Sequence, residues 1–210
     1  LAQAFLIGEE FIKDEACALI LGDNIFYGNG LKHKLRAAMQ SAENGVSVLF
    51  GYYVKDPENF GVMELDEAGR ILSIEEKPNN PKSNYIATGL YFYSKDVVDY
   101  AKRVKPSARG ELEITDLNKM YLQDGKLCAE LLGRGCAWID TGTMDSLIEA
   151  ANFVRLVESR QGIQIASLEE IAYRNEWITK EQLAAAIKNY GKSLYGAYLA
   201  NVLDRKMRYQ

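Results

Sequence analysis

Ala18-Leu19-Ile20-Leu21-Gly22-Asp23-Asn24 decides how this chain is read. Apolar residues run straight into a glycine and then a carboxylate, the pattern of a buried strand whose carboxyl end delivers Asp23 to the crevice where open α/β sheets bind ligands. Gly22 lets a ligand approach the backbone closely. Far down the chain Ala137-Trp138-Ile139-Asp140-Thr141-Gly142 repeats the design. An aspartate after a strand is also a common turn former or helix N-cap, so neither motif settles the reading by itself. Together they offer two carboxylates, an all-oxygen donor pair of the kind that holds magnesium beside substrate phosphates.

Composition narrows the classes around that pair. At 210 residues, 48% hydrophobic and 26% charged, the chain is long enough for one sizeable globular core. A net charge of -4 and a pI near 5.2 argue against nucleic-acid binding, which needs a basic face. No apolar run has the length of a membrane span, and Cys17, Cys128 and Cys136 form no Cys-x-x-Cys pair, so reduced thiols in a cytoplasmic protein are expected. His33 is the single histidine, which excludes His-based metal sites and Ser-His triads. The chain opens at Leu1 already inside an amphipathic pattern, as though within a domain.

Working outward, Leu1 to about Ile12 reads as a helix, Ala16 to Leu21 as the strand carrying Asp23, and Ile25 to Gly30 as a loop punctuated by glycines. A helical stripe from Leu31 to Asn44-Gly45 and a β-rich run from Val46 to Val54 complete the strand-helix-strand rhythm of a parallel sheet. A hairpin follows, with strands near Val62 to Leu65 and Ile71 to Glu75, so the sheet is expected to be mixed. Lys77 precedes Pro78, which restricts the backbone and helps fix the direction of the ammonium, a good phosphate partner. An aromatic strand runs from Tyr85 to Tyr93, Ser94 is placed to cap a helix to Val104, and Arg109-Gly110-Glu111 forms a charged loop before another helix. Lys126 to Leu132 is a further strand; Thr143 caps a long helix closed by Gly162. From Ile163 the pattern is all helical, with capping-box sequences at Ser167 and Thr179. The expected organisation is an α/β domain over 1–162 and a helical segment over 163–210.

In these residues the chain resembles the sugar-phosphate nucleotidylyltransferases, and among them the glucose-1-phosphate thymidylyltransferases. The resemblance rests on an ordered set: Leu1-Ala2-Gln3-Ala4-Phe5, Leu21-Gly22-Asp23-Asn24, Phe60-Gly61-Val62, Glu75-Glu76-Lys77-Pro78, Thr88-Gly89-Leu90-Tyr91, Arg109 to Thr115, and Trp138-Ile139-Asp140-Thr141-Gly142. It implies a Rossmann-like fold with a mixed, mainly parallel central sheet, an inserted hairpin and a C-terminal helical appendage. The family's opening G-x-G-T-R-L loop and its following Lys segment, which hold the triphosphate, are absent from these residues; the expectation is an N-terminally truncated, inactive chain.

The implied reaction joins dTTP and glucose 1-phosphate into dTDP-glucose and pyrophosphate by in-line attack on the α-phosphorus. The nucleophile is already ionised, so no general base is needed, which suits a chain poor in histidine; positioning and charge neutralisation do the catalysis. Carried over residue by residue, Asp23 and Asp140 would hold Mg²⁺ and Lys77 would meet the sugar phosphate. Gly61, Glu76 and Glu111 would bind glucose hydroxyls, Ala87 and Tyr91 would line the sugar pocket, Arg109 would contact phosphate, and Leu1 would border the base pocket. The resemblance also implies a homo-oligomer, dimer or tetramer, with a nucleotide-sugar effector site around Tyr27, Gly28, Gly133, Arg134, Glu170, Ile171 and Arg174. Core packing for Ile171 and solvation for the two arginines are the competing readings. Alternatives at the level of function are another base or sugar, such as UTP, and a non-catalytic nucleotide-sugar-binding module.

Overall fold

A computed structural model describes residues 1–107 and 110–204 of the chain. It divides into two compact units, Leu1–Gly142 and the chain from Thr143 onward, so the long helix after Gly142 groups with the helices that follow it rather than with the α/β part.

The organising element of the first unit is a nine-residue aromatic strand, Tyr85–Tyr93. In chain order, α1 (Gln3–Ile7) and α2 (Glu9–Ile12) precede β1 (Cys17–Ile20) and β2 (Asn24–Gly28). Then come α3 (Leu31–Glu43), β3 (Ser47–Tyr53), a 3₁₀ turn at Pro57–Asn59, β4 (Gly61–Leu65), β5 (Ile71–Glu76) and β6 (Tyr85–Tyr93). The unit closes with α4 (Val97–Arg103), α5 (Ile114–Gln123), β7 (Leu127–Leu132) and β8 (Cys136–Asp140). One edge of β6 pairs with β3; its other edge is shared by β4, at Ile86, and β1, at Leu90 to Tyr93. The result is a six-stranded sheet ordered β5-β4-β6-β3-β7 with β1 beside β6.

Strand alternation sorts the core. Leu90 and Phe92 of β6 pack with Val48, Phe50 and α3 residues Ala38 and Ala42, whereas Tyr91 and Tyr93 pack with Phe5 of α1, Val97 and Tyr100 of α4, and Leu117 and Tyr121 of α5. Helices therefore cover both faces, and β6 is buried along most of its length. Burying Phe50 and Leu49 alone removes enough apolar surface to be worth about 2–3 kcal/mol each.

The mixed α/β architecture is as expected, but several details differ. The sheet is not mainly parallel: among the described ladders only β3 with β7 is parallel, because β6 returns antiparallel to each strand it touches. Ile25 to Gly30 is not all loop; Asn24–Gly28 is a strand, paired antiparallel with β8 from Asn24↔Asp140 to Gly28↔Cys136. Local glycine signals lost there to a partner 108 to 116 residues away in the register, which no local pattern announces. The opening helix is interrupted at Gly8, whose helix propensity is poor. Ser94 does not cap α4, where Asp96 stands at the N-cap; its backbone N–H donates to Ser47 Oγ (3.1 Å) in the core.

The second unit holds α6 (Met144–Gln161), α7 (Leu168–Arg174), α8 (Lys180–Tyr190) and α9 (Leu194–Leu203). Thr143 and Thr179 form capping boxes with Ser146 and Gln182, and Gly162 ends α6 in the left-handed conformation (φ 67°). Ser167 makes no cap hydrogen bond; its hydroxyl lies 2.9 Å from the Tyr195 hydroxyl instead. Leu183, Tyr198, Leu199 and Val202 form this unit's core.

Candidate active site

The two acidic motifs meet through the ribbon of β2 and β8. Leu21 ties β1 to β6 through its N–H to the Gly89 carbonyl (2.8 Å), and the chain then turns through Gly22 and Asp23 into β2. There Asn24 stands opposite Asp140, and Thr141 donates to the Asp23 carbonyl from both its backbone N–H (2.9 Å) and its hydroxyl (2.8 Å). Gly-Asp-Asn and Asp-Thr-Gly are thus clasped, one ladder step apart. The Asp23 carboxylate accepts from the Asn24 amide (2.8 Å) and the Asp140 carboxylate from the Gly142 N–H (3.1 Å).

Beside this clasp lies a cleft of about 390 Å³. Gly61 and Glu76 are register partners at the open end of the β4–β5 hairpin, and Lys77 continues from it, its N–H donating to the Phe60 carbonyl (3.0 Å). Alternation along β6 turns Ala87, Gly89 and Tyr91 to the same cleft. Glu111, Glu113 and Thr115 enter from the loop and first turn of α5, and Trp138 and Asp140 from β8. Thr115 Oγ1 donates to Glu76, and a Cβ on Gly61 would come within 3.3 Å of that hydroxyl and 3.5 Å of Glu76 Oε2. A Cβ there would press on the Thr115 hydroxyl and come into ordinary contact with the carboxylate, so glycine leaves the Thr115–Glu76 pair undisturbed.

Electrostatics follow from this packing. Tyr91 is buried, and burial together with the neighbouring Glu76 carboxylate drives its phenol well above the ordinary range, so it is a neutral hydrogen-bonding group at any working pH. Lys77 is exposed at the rim with φ 44°. That is not the extended conformation expected before proline; it is the left-handed region that a non-glycine residue occupies at a cost of about 1–3 kcal/mol. The hairpin end fixes the backbone more tightly than Pro78 alone would.

Of the residues singled out in the sequence, Leu1, Gly61, Glu76, Lys77, Ala87, Tyr91, Glu111 and Asp140 line the cleft. Asp23 is not among the lining residues; it lies in the turn behind them, its carboxylate bonded to the lining residue Asn24 and its carbonyl to Thr141, and Arg109 lies outside the described residues. Tyr27 and Gly28 sit on β2, and Gly133 and Arg134 in the turn between β7 and β8. In the second unit Glu170 is buried and accepts from Arg174 Nε (2.6 Å) and from the Tyr198 hydroxyl, while Ile171 is 41% exposed and so is not a core residue.

Sequence reasoning passed over Asn24, Phe60, Thr115, Asn118 and the indole of Trp138. Asn24 Oδ1 accepts from Trp138 Nε1 (2.7 Å) and from the Gly89 N–H (3.3 Å), and Phe60 meets the Trp138 ring edge to face at 5.4 Å. Asn24 and Trp138 stand within the named motifs and meet only through the β2–β8 register, while Thr115 and Asn118 enter from α5, where Thr115 meets Glu76 and Asn118 meets Tyr93.

Whether these residues fit a divalent cation is a matter of donor chemistry. Asp23 Oδ1 and Asp140 Oδ1 each accept from a local donor, the candidate metal-binding atoms are all oxygen, and the set is smaller than three: among the described residues no group of three or more His, Cys, Asp or Glu gathers. Two carboxylates with phosphate oxygens completing the shell is the arrangement that suits magnesium.

A mixed sheet covered by helices, with a carboxylate-bearing ribbon beside a polar cleft, is the architecture of an α/β enzyme that binds a small polar ligand at its strand ends. The chain belongs to the Nucleotidyl transferase family, which matches residues 1–156. It is 55% identical over 205 residues to glucose-1-phosphate thymidylyltransferase of Neisseria gonorrhoeae, covering 98% of this chain and 70% of that one. The Mycobacterium tuberculosis glucose-1-phosphate thymidylyltransferase is 51% identical over the same shares, 98% and 70%. A Bacillus anthracis structure assigned as a glucose-1-phosphate thymidylyltransferase, in complex with a sucrose, matches with TM-score 0.64 and 39% identity, over 74% of this chain and 61% of that one. A UDP-glucose pyrophosphorylase complexed with UDP-glucose matches with TM-score 0.66 and 25% identity, over 74% and 62%. The chain therefore spans about 70% of those curated relatives and about three-fifths of those solved chains. Among the described residues no helix is long and apolar enough to cross a membrane.

Proposed function

We propose that this chain carries the sugar-phosphate and metal-binding half of a glucose-1-phosphate thymidylyltransferase, the enzyme that makes dTDP-glucose and pyrophosphate from dTTP and glucose 1-phosphate. The observation that supports it is the single cleft in which Glu76, Lys77, Glu111 and Asp140 converge, with Asp23 clasped beside Asp140.

Glucose 1-phosphate sits with its ring against Ala87 and Tyr91 and its hydroxyls toward Glu76, Glu111 and the backbone of Gly61. Lys77 neutralises its phosphate and points the attacking oxygen at the α-phosphorus of the nucleotide. Holding two anions in line is the larger part of the task, because their mutual repulsion opposes the encounter. Asp23 and Asp140 would hold Mg²⁺. Bound there, the ion offsets negative charge on the reacting phosphates. Base selection rests on the family's Gly-rich segment, which these residues do not include.

Calorimetric titration with glucose 1-phosphate tests the cleft directly. Binding that Lys77→Ala weakens by about 10- to 100-fold, the worth of a charge-assisted hydrogen bond, supports the reading. Absence of binding, or binding untouched by Lys77→Ala, overturns it. A second reading, UTP in place of dTTP, draws on the UDP-glucose pyrophosphorylase match. With the family's nucleotide-binding segment joined to the chain, a panel of nucleoside triphosphates separates the two: preference for dTTP sustains the proposal, preference for UTP replaces it.

A further inference from the structure

We infer that Asn24 is the positioning residue of the cation site, acting through Asp23. The inference rests on the divalent-cation reading given above and deepens it.

One amide reaches three elements. Its Nδ2 donates to Asp23 Oδ1 (2.8 Å), and its Oδ1 accepts from Trp138 Nε1 on β8 (2.7 Å) and from the Gly89 N–H on β6 (3.3 Å). Both ends of the side chain are therefore used, so its orientation is fixed: a flipped amide would set Nδ2 against two N–H donors and Oδ1 against a carboxylate. Space fixes it as well. A Cβ on Gly89 would lie 2.9 Å from Asn24 Cγ and 2.8 Å from Leu21 Cδ1, so the amide is seated against bare strand backbone.

That seat links a mobile kind of element to a rigid one. Asp23 is exposed and lies in a turn, where a carboxylate on its own would sample several rotamers. Asn24 ties it to β6, the most deeply buried strand of the sheet. An aspartate could not substitute, because it would face Asp23 with like charge, and alanine would leave the Trp138 indole N–H without its acceptor. Groups of this kind, which touch a metal ligand but not the metal, change metal affinity about 10- to 100-fold when removed.

The test uses Mn²⁺ as the probe and the Trp138 indole proton as the reporter, in the whole chain with Trp177→Phe so that a single indole signal remains; Trp177 is 72% exposed, so its loss is benign. Four proteins are compared on that background: the parent, Asn24→Ala, Asp23→Ala and the double variant. The Mn²⁺ concentration that half-broadens the signal is expected to rise about tenfold in Asn24→Ala, and to change less than twofold when Asn24→Ala is added to Asp23→Ala. An equal effect in both backgrounds means that Asn24 only supports the fold, and no effect in the parent means that it does not position Asp23; either overturns the inference. No broadening in the parent overturns the cation site itself, while glucose 1-phosphate binding, measured separately, still decides the sugar reading. Should Asn24→Ala fail to fold, Asn24→Ser carries the same expectation.

Discussion

The six-stranded sheet and the two-stranded β2–β8 ribbon solve different problems in the same unit. Most of β6 and β3 is buried and the sheet is held by apolar packing on both faces, whereas no residue of β2 or β8 is fully buried. The ribbon leans on the sheet's core only through partly buried Phe26, Cys136 and Trp138, and is held besides by its register, by the Asn24 amide, by the Thr141 clasp on Asp23 and by ring contacts of Trp138 with Tyr52 (6.0 Å) and Phe60 (5.4 Å). The carboxylates sit on the lightly buried element. Ionised groups need solvent or a counterion, and deep burial would neutralise them, so the rigid sheet positions the chemistry without enclosing it.

Substitutions can break the comparison from either side. Asp140→Asn or Asp23→Asn, assayed as dTDP-glucose formation with the family's nucleotide-binding segment joined to the chain, is expected to lower the rate by about 10²- to 10³-fold while leaving the melting temperature unchanged. Normal turnover would show that the ribbon has no chemical task. Phe50→Ala is expected to do the reverse, costing about 3–5 kcal/mol in denaturant unfolding because it empties a fully buried site. Trp138→Phe removes one hydrogen-bond donor from the ribbon and should cost about 1 kcal/mol, with glucose 1-phosphate affinity falling along with it. A loss as large as that of Phe50→Ala would mean that the ribbon, like the sheet, is held mainly by burial.

The smallest expected effect lies in the helical unit. Hydrogen bonds from the Tyr190 and Tyr195 hydroxyls hold the Glu169 carboxyl below its ordinary value of 4.5. A group depressed on folding stabilises above its unfolded value and loses that contribution as pH falls through the folded one. Unfolding followed from pH 6 downward should therefore show a loss of stability below about pH 4.5 that Tyr190→Phe with Tyr195→Phe flattens. An identical acid profile in the double variant would remove the assignment.

The sheet was the legible half. Strand alternation and apolar runs gave β3, β4, β5, β6 and β7 nearly to the residue, since burial on both faces leaves its mark in local sequence. The ribbon was not, because Ile25 to Gly30 carries glycines that read as turns and its partner lies more than a hundred residues away. The same holds within the site. Asp23, Asp140, Glu76 and Lys77 stand at strand ends, where a carboxylate or ammonium after an apolar run is visible, while Asn24 and the Trp138 indole matter only through a contact between the two motifs. The left-handed backbone at Lys77 was hidden for another reason: Pro78 points to extended structure, and the hairpin pairing overrides it.

Anomalous diffraction from crystals soaked in Mn²⁺ and glucose 1-phosphate tests the account most directly. One Mn²⁺ peak touching the carboxylates of both Asp23 and Asp140, with the sugar phosphate at the Lys77 ammonium, is the expected result. Mn²⁺ held elsewhere, or a sugar phosphate bound away from Lys77, would contradict it.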